Sequence, residues 1–431
     1  MQYPRIEAPI ALIGMGLSNL SVQKYLLTSG FNEADIFVYQ DEDGEDAQER
    51  LQEAKTFFVS PGYPLSKPWL HKLKHFKQGV TSELALAYAL IAERKSGETI
   101  VGVSGSLGKS TTVSLIHAGL VAANQKAELS GNIGKPLLDY VMATSDEKAK
   151  YSKYIVLELS SYQLENCGDL NVDISCLTNF SPNHLSRYPS LEAYYAQKLE
   201  LIGRTKNMVF VNEQSTELVK TLKSVDPQKL RFYNPDDSLV FDEKDWKAKR
   251  LVGAHNKQNL EAAALVLKEL GCLSEDAKAA LLSYSGLPHR LQKISLPLGA
   301  PTVINDSKCT SIDGIKVALA CVAEEENMNF ERLTLLIGGQ DKDLPWQDLA
   351  SLPKGIRFLF FGEVGPKAKD LSQIEGPCFQ TLDQLIGSLK IEDYSPQDWI
   401  LLSPGGTSFD EFKNFEERGK VFSERMQQKW N

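Results

Sequence analysis

Between the strand-like run Ile100-Val101-Gly102-Val103 and a helix-forming stretch that reaches about Val121 lies Gly105-Ser106-Leu107-Gly108-Lys109-Ser110-Thr111. A strand, a glycine-rich turn and a helix in that order bring free backbone amides and the positive end of a helix dipole to one point, which makes an anion site. Such a turn needs a sheet whose strands end where helices begin, so it directs the chain to an α/β architecture. The longer phosphate-loop spacing is not met, because Val103 occupies the position of its first glycine. Taken alone, the segment is either a nucleotide loop, with Lys109 on the β/γ-phosphates and Ser110 on Mg²⁺, or a plain glycine-rich turn.

The rest of the chain repeats the same alternation. Residues 1–95 open with Ile10-Ala11-Leu12-Ile13, the turn Gly14-Met15-Gly16, a helix through Leu26 and a second strand, Ile36 to Tyr39. Asn19 stands where a dinucleotide fingerprint carries its third glycine, which leaves open a nucleotide-type ligand or a mere tight turn. From 96 to 288 come the phosphate-loop unit, the strands Tyr154 to Leu157 and Ser175 to Phe180, and helical periods at Asn259 to Leu270 and Asp276 to Tyr284. A third series, 289–431, has strands Val303-Ile304, Leu333 to Ile337, Phe358 to Phe361 and Trp399 to Leu402. Its last helix is expected from Ser408, where Ser408 to Glu411 has capping-box spacing. Three domains with mostly parallel sheets follow, in keeping with 431 residues.

Composition removes several function classes. A net charge of −9 argues against a dedicated nucleic-acid binder, and the basic stretch Lys67 to Lys77 reads as a solvated edge. Six scattered cysteines form no Cys-x-x-Cys pair and read as reduced, mostly buried thiols. Nothing approaches the roughly 18 apolar residues of a membrane helix, so a cytoplasmic protein with no membrane partner is expected.

Three side chains stand out around the loop. Glu158 ends the apolar run Tyr154 to Leu157; a carboxylate at the carboxyl end of a buried strand points into the ligand crevice, where it could hold Mg²⁺, unless it is simply a surface glutamate. Lys198 falls on the helical stripe Leu191, Tyr195, Lys198, Ile202. It either carries its ammonium to water or is a desolvated lysine with a depressed pKa, open to chemical modification. His184 is either a metal ligand or a loop histidine.

Together with Gly131 to Gly134, Glu158 to Glu165, Asn183 to Tyr188, Gly253 to Asn259, Gly286 to Arg290, Asn305 to Lys308, Ser403 to Asp410 and Phe412 to Gly419, these segments resemble the Mur ligases, in the same order and over nearly the whole chain. The Glu158 stretch and the last segment are most similar to the member that adds D-glutamate. The resemblance implies a Rossmann-like N-terminal domain binding a UDP substrate, a central phosphate-loop ATPase domain, and a Rossmann-like C-terminal domain binding an amino acid. It implies ATP and two Mg²⁺ ions as cofactors, UDP-N-acetylmuramoyl-L-alanine and glutamate as substrates, and a monomer.

By the same resemblance, Gly105, Ser106, Leu107, Gly108, Lys109, Ser110 and Thr111 serve the ATP phosphates, Asn256 and Asn259 the adenine, and Arg290 and Asp306 the phosphates and ribose. Ser110, Glu158, His184 and Lys198 serve Mg²⁺, the lysine as a carbamate formed with CO₂. Gly14, Gly16, Leu17, Asn132 and Gln163 belong to the muramoyl substrate, and Lys308, Thr310, Lys342, Ser408 and Phe415 to the amino acid. The chain departs from the family pattern at Ser106-Leu107, Ser186, Ser311 and Gly405-Gly406-Thr407, and the C-terminal departures leave D- or L-glutamate open. Folylpolyglutamate synthetases share the loop and the reaction type, but the C-terminal segment and the Gly14-Met15-Gly16 domain argue against them.

Overall fold

Short apolar runs bounded by turns sort into three sheets in the computed structural model, which describes residues 6–145, 151–181, 187–222, 227–238, 240–253, 255–325, 328–341 and 343–431. The first sheet holds β1 (Ile10–Ile13), β2 (Ile36–Tyr39), β3 (Thr56–Val59) and β4 (Val80–Thr81) in the order β2-β1-β3-β4. Its strands are all parallel. β1 and β3 are apolar at nearly every position and buried along their whole length, as parallel strands covered on both faces must be.

The second sheet holds β5 (Thr99–Ser104), β6 (Ala127–Gly131), β7 (Tyr154–Glu158), β8 (Val172–Leu177), β9 (Thr205–Asn212) and β10 (Leu230–Tyr233). Their order is β10-β9-β8-β5-β7-β6, again all parallel. After β5 the chain moves toward β6, whereas after β8 it moves toward β9. The strand order therefore reverses between β5 and β8, and such a switch point opens a crevice at the carboxyl ends of the two strands.

The third sheet holds β11 (Gln292–Lys293), β12 (Thr302–Asn305), β13 (Leu333–Gly338), β14 (Arg357–Phe361), β15 (Cys378–Phe379) and β16 (Trp399–Gly405), in the order β11-β12-β16-β13-β14-β15. Only β11 is antiparallel to its neighbour. The last strand is thus threaded between β12 and β13, which places the loops after all three strands at one end of the sheet.

Two compact units result: Met1–Phe241 with Gln258–Leu281, carrying the first two sheets, and Asp242–Lys257 with Leu282–Asn431, carrying the third. In the first unit one hydrophobic cluster runs from Ile10, Leu12 and Phe58 through Leu84, Leu86 and Ile91 to Ile100, Ile155 and Leu157, so its two sheets share a core. All six cysteines are free; five are buried and Cys378 is exposed. Among the described residues no helix is long and apolar enough to cross a membrane.

Two expectations need correction. β8 begins at Val172 rather than Ser175, and the final helix is Phe415–Trp430, capped by Asn414 through Glu417 N (2.8 Å), not by Ser408. Both Ser408 to Glu411 and Asn414 to Glu417 have capping spacing. The second prevails because the acids of the first are engaged elsewhere: Asp410 Oδ2 accepts from Glu363 N (3.2 Å) and Glu411 Oε2 from Leu382 N (3.0 Å).

Asn19 shows how the first turn manages without a third glycine. Fully buried, its Nδ2 donates to the carbonyls of Ile13 (3.0 Å), Gly14 (2.7 Å) and Phe58 (3.1 Å), tying β1, the turn and β3 together. Asn19→Ala is expected to destabilise the first unit by about 2–3 kcal/mol, the loss of a buried donor and the desolvated acceptors it leaves; an unchanged urea midpoint would refute this.

Candidate active site

The phosphate loop leaves β5 at the switch point. Gly105 (φ +150°) and Gly108 (φ +88°) adopt backbone conformations that favour glycine, and a Cβ at Gly105 would lie 2.0 Å from Thr178 Oγ1. The loop is bound to the end of β8: Ser106 N donates to Asn179 O (2.6 Å), and Thr178 Oγ1 donates to Leu107 O (2.6 Å). The helix Lys109–Ala122 starts directly behind it, with Ser110 and Thr111 half-buried in its first turn. The Lys109 ammonium lies against the loop, donating to Gly105 O (3.0 Å) and Ser106 O (3.2 Å). Leu107 is exposed at the loop tip, while Asn259 packs behind it, its Oδ1 accepting from Thr112 Oγ1 at 3.3 Å.

Beneath the loop sits Lys198. The helix Leu191–Gly203, capped by Ser190, buries Tyr194, Tyr195, Lys198 and Leu201, while Leu191 and Ile202 are only half-buried; the buried stripe thus lies somewhat to one side of the one expected. Lys198 is 2% exposed, so it does not snorkel. Its Nζ donates to Gly105 O at 2.7 Å and lies 4.7 Å from the Tyr194 ring centre. Burial first, and then the Lys109 charge, push its pKa down to about 7, with Glu158 opposing. Tyr194 OH donates to Ser106 Oγ (3.1 Å), which also accepts from Ser181 N (3.1 Å). Ser106, a departure from the family pattern, is therefore a junction between the loop, this helix and the chain leading to His184.

Glu158, the last residue of β7, is 2% exposed. Its Oε1 accepts from Asn132 Nδ2 at 2.8 Å, while Oε2 is buried with no hydrogen-bond partner among the described residues. A buried orphan carboxylate oxygen is costly unless something else completes it, and a divalent cation would. Among the described residues no three of His, Cys, Asp and Glu gather into a metal cluster. His184, a further expected ligand, lies outside the described residues, as does Lys342. The donor set that remains, Glu158, Lys198 and Ser110, fits Mg²⁺ only if the lysine offers oxygen, as a carbamate would.

Beside these groups a cleft within the first unit is lined by Ser60, Pro61, Tyr63, Tyr162, Gln163 and Arg187, among others. Gln163 caps its own short helix through Ser160 N (3.0 Å). Arg187 is paired with Glu165 Oε2 (2.6 Å) and donates to Gly62 O (3.1 Å), so it joins the two sheets of the unit across the cleft. Gly14 (φ +76°) turns the chain into the helix Leu17–Thr28, for which Gly16 is the cap, and Leu17 is exposed at its start.

In the second unit, Lys308 and Phe415 are brought together, the ammonium 5.4 Å from the ring centre. Thr310 is half-buried nearby in sequence, and Ser408 is buried in the loop that follows β16. Asp306 is buried too, accepting from Ser403 Oγ (2.9 Å) and Leu291 N (3.2 Å); burial pushes its pKa up to about 7. Arg290 is exposed, and Asn256 donates to Val252 O (2.6 Å). Thr178 and Tyr194 fall in no motif, and Arg187 and Arg418 lie inside the segments Asn183 to Tyr188 and Phe412 to Gly419 without having been singled out; only the pairing of β5 with β8, and of loops far apart in the chain, shows what they contact.

A parallel sheet with a phosphate loop at its switch point, accompanied by a unit with its own parallel sheet, defines a multidomain nucleotide-phosphate-binding α/β protein. A family model described as the Mur ligase middle domain matches residues 103–267. The chain is 30% identical over 464 aligned positions to the UDP-N-acetylmuramoylalanine–D-glutamate ligase of Saccharophagus degradans, covering 97% of both proteins. It is 29% identical to the ligase of the same name from Francisella tularensis subsp. novicida, covering 97% of this chain and 96% of that protein. Among solved structures, UDP-N-acetylmuramoyl-L-alanyl-D-glutamate–2,6-diaminopimelate ligase is similar with a TM-score of 0.59 at 16% identity, covering 91% of each chain. UDP-N-acetylmuramate-alanine ligase of Thermotoga maritima gives 0.55 at 16% identity, covering 98% of this chain and 100% of that one. The chain belongs to the Mur ligase family.

The Lys198 environment has a pH signature. Between about pH 7 and its ordinary value of 10.5, the unfolded chain holds a proton that folded Lys198 lacks, so stability rises with pH across this window. In metal-free, CO₂-free buffer, the urea midpoint of the wild type is expected to climb from pH 7 to pH 9 more steeply than that of Lys198→Met; equal slopes would contradict it.

Proposed function

We propose that this chain is an ATP-dependent carboxylate–amine ligase that joins glutamate to UDP-N-acetylmuramoyl-L-alanine in peptidoglycan precursor synthesis. The observation that carries it is the buried pair of Lys198 and an orphan Glu158 oxygen around a phosphate loop. The D-glutamate-adding relatives, aligned over nearly the full length, support D-glutamate as the amino acid. A cytoplasmic location goes with soluble substrates of this kind. Residues 1–95 would hold the UDP substrate, 96–288 ATP and 289–431 the amino acid.

A free carboxylate is a poor acyl donor, since its charge repels nucleophiles and its oxygen leaves badly. In the proposed reaction the alanyl carboxylate attacks the γ-phosphorus of ATP, giving an acyl phosphate and ADP. The glutamate amine then attacks the acyl carbon, and the tetrahedral intermediate expels phosphate and a proton to leave the amide. Lys109 and the amides at the start of its helix would offset the charge spread over the transferred phosphoryl oxygens. Asn132 and Gln163 would orient the muramoyl-alanine, with Gly14, Gly16 and Leu17 at its nucleotide end. Asn256 and Asn259 would serve the adenine of ATP, Arg290 and Asp306 its phosphates and ribose, and Lys308, Thr310, Lys342, Ser408 and Phe415 the amino acid.

Ser110, Glu158, His184 and Lys198 would hold two Mg²⁺ ions, which when bound supply positive charge to phosphoryl transfer. A lysine near pKa 7 is substantially neutral at physiological pH, and a neutral amine is the form that combines with CO₂. The carbamate converts a buried cation into an oxygen ligand, which relieves the desolvation of the ammonium and suits a hard metal.

Incubation with ATP, Mg²⁺ and UDP-N-acetylmuramoyl-L-alanine, with D- or L-glutamate added separately, is expected to release phosphate and yield the amide mass with D-glutamate. Turnover with L-glutamate alone would reassign the amino acid, and no release with either would end the ligase reading. Lys109→Ala is expected to lower kcat by at least about a hundredfold. Lys198→Ala should lose most activity and regain part of it with added acetate or formate; full activity without them would rule out the carbamate.

A further inference from the structure

Among the described residues Arg418 is the most deeply buried cation of the second unit, with 0% of its surface exposed. It lies one turn into the final helix and points under the carboxyl ends of β12 and β16. Nε donates to Ser307 Oγ (3.0 Å) and Nη2 to Ser307 O (2.8 Å), while Nη1 donates to Gly406 O (3.1 Å) and Thr407 O (3.0 Å). The loop after β13 closes over it, since a Cβ at Gly339 would stand 2.7 Å from Nη1. One guanidinium thus stitches the segment that leads to Lys308 and Thr310 to the segment that leads to Ser408.

All four acceptors are neutral. Asp410 and Glu411 favour its charged form from a distance but accept hydrogen bonds from Glu363 N and Leu382 N, Glu417 accepts from Lys413 N, and among the described residues no carboxylate forms an ion pair with Arg418. Burial lowers its pKa to about 10, which leaves it charged at neutral pH. A buried charge with no carboxylate in direct contact is unfavourable, and neutral donors could tie the same loops together at less cost. The peptide joining Thr407 to Ser408 turns its carbonyl to Arg418, so the Ser408 N–H, which lies on the opposite side of that planar unit, is directed away from the guanidinium.

We propose that Arg418 is a positioning residue that makes this site selective for an acidic amino acid, by fixing the Lys308 and Ser408 loops and keeping beneath them a positive charge, contacted by no carboxylate, that favours an anionic ligand. The inference rests on the reading of Lys308, Thr310 and Ser408 as the amino-acid site. It also gives meaning to Gly405-Gly406-Thr407. Gly405 has φ +75°, and a Cβ at Gly406 would lie 2.6 Å from Gly338 O, so the loop that Arg418 holds packs too closely for larger residues at these positions.

The test is a comparison of wild type, Arg418→Lys and Arg418→Gln, with KM measured for glutamate, ATP and UDP-N-acetylmuramoyl-L-alanine, and kcat/KM measured for glutamate against glutamine. Arg418→Gln is expected to raise the KM for glutamate by about tenfold or more, to leave the other two KM values within about twofold, and to narrow the preference for glutamate over glutamine. Arg418→Lys, which keeps the charge but loses the fork of donors, should recover part of the glutamate KM. A uniform rise in all three KM values, or a fall in kcat alone, would overturn the proposal. Should both variants fail to fold by circular dichroism, Ser307→Ala, which removes one acceptor, carries the test: a glutamate KM raised severalfold supports it, and an unchanged one refutes it. A wild type that uses no amino acid removes the ligase reading and this inference together, whereas an active wild type with an indifferent Arg418→Gln removes only the inference.

Discussion

Where β5 and β8 lie side by side, their connections depart in opposite directions, and the chain leaves a crevice at their carboxyl ends. Parallel pairing brings Thr178 and Asn179, at the end of β8, against Gly105, Ser106 and Leu107, at the end of β5. Those bonds determine the shape of the phosphate loop, since a loop of this length has no regular structure to satisfy its own polar groups. With the carbonyl of Gly105 turned inward, Lys198 has an acceptor in a place where its ammonium would otherwise be alone, and its depressed pKa follows from the same burial. The chemistry of the first unit is therefore a consequence of strand order.

The second unit repeats the device with a different filling. β16 is inserted between β12 and β13, so three loops converge at one end of the sheet and Arg418 occupies the space beneath them. Lys198 and Arg418 are alike in being buried cations bound to backbone carbonyls, yet they differ in chemistry. An amine that loses its proton near neutrality can be modified, whereas a guanidinium stays charged and can only attract or orient.

Much of the first site was legible because its signals are local. An apolar run ending in a carboxylate is enough to place Glu158 at the mouth of a buried strand, and a glycine turn between strand and helix is enough to mark the phosphate loop. Lys198 was legible only as an alternative: helical periodicity says which face a residue shares, but not how deep that face lies. The N-terminus of the last helix was misplaced for a related reason. Ser408 and Asn414 offer equally good capping spacing, and only the loops around Glu363 and Leu382, remote in the chain, decide which acids are left to cap.

By itself, then, the sequence determined the alternation of strands and helices, the three series they form, the position of the phosphate loop, and the candidates Lys109, Glu158 and Lys198, because each depends on residues within a few positions of one another. Tertiary structure alone decided that Lys198 is desolvated rather than solvated, that Glu158 keeps an oxygen without a partner, that Asn19 takes over from a glycine by bonding to β3, and that Arg418 underlies the Lys308 and Ser408 loops. The physical reason is the same in each case. Burial and hydrogen-bond satisfaction are properties of segments that meet across a sheet, and nothing in the local pattern of a chain records which distant segment will be its neighbour.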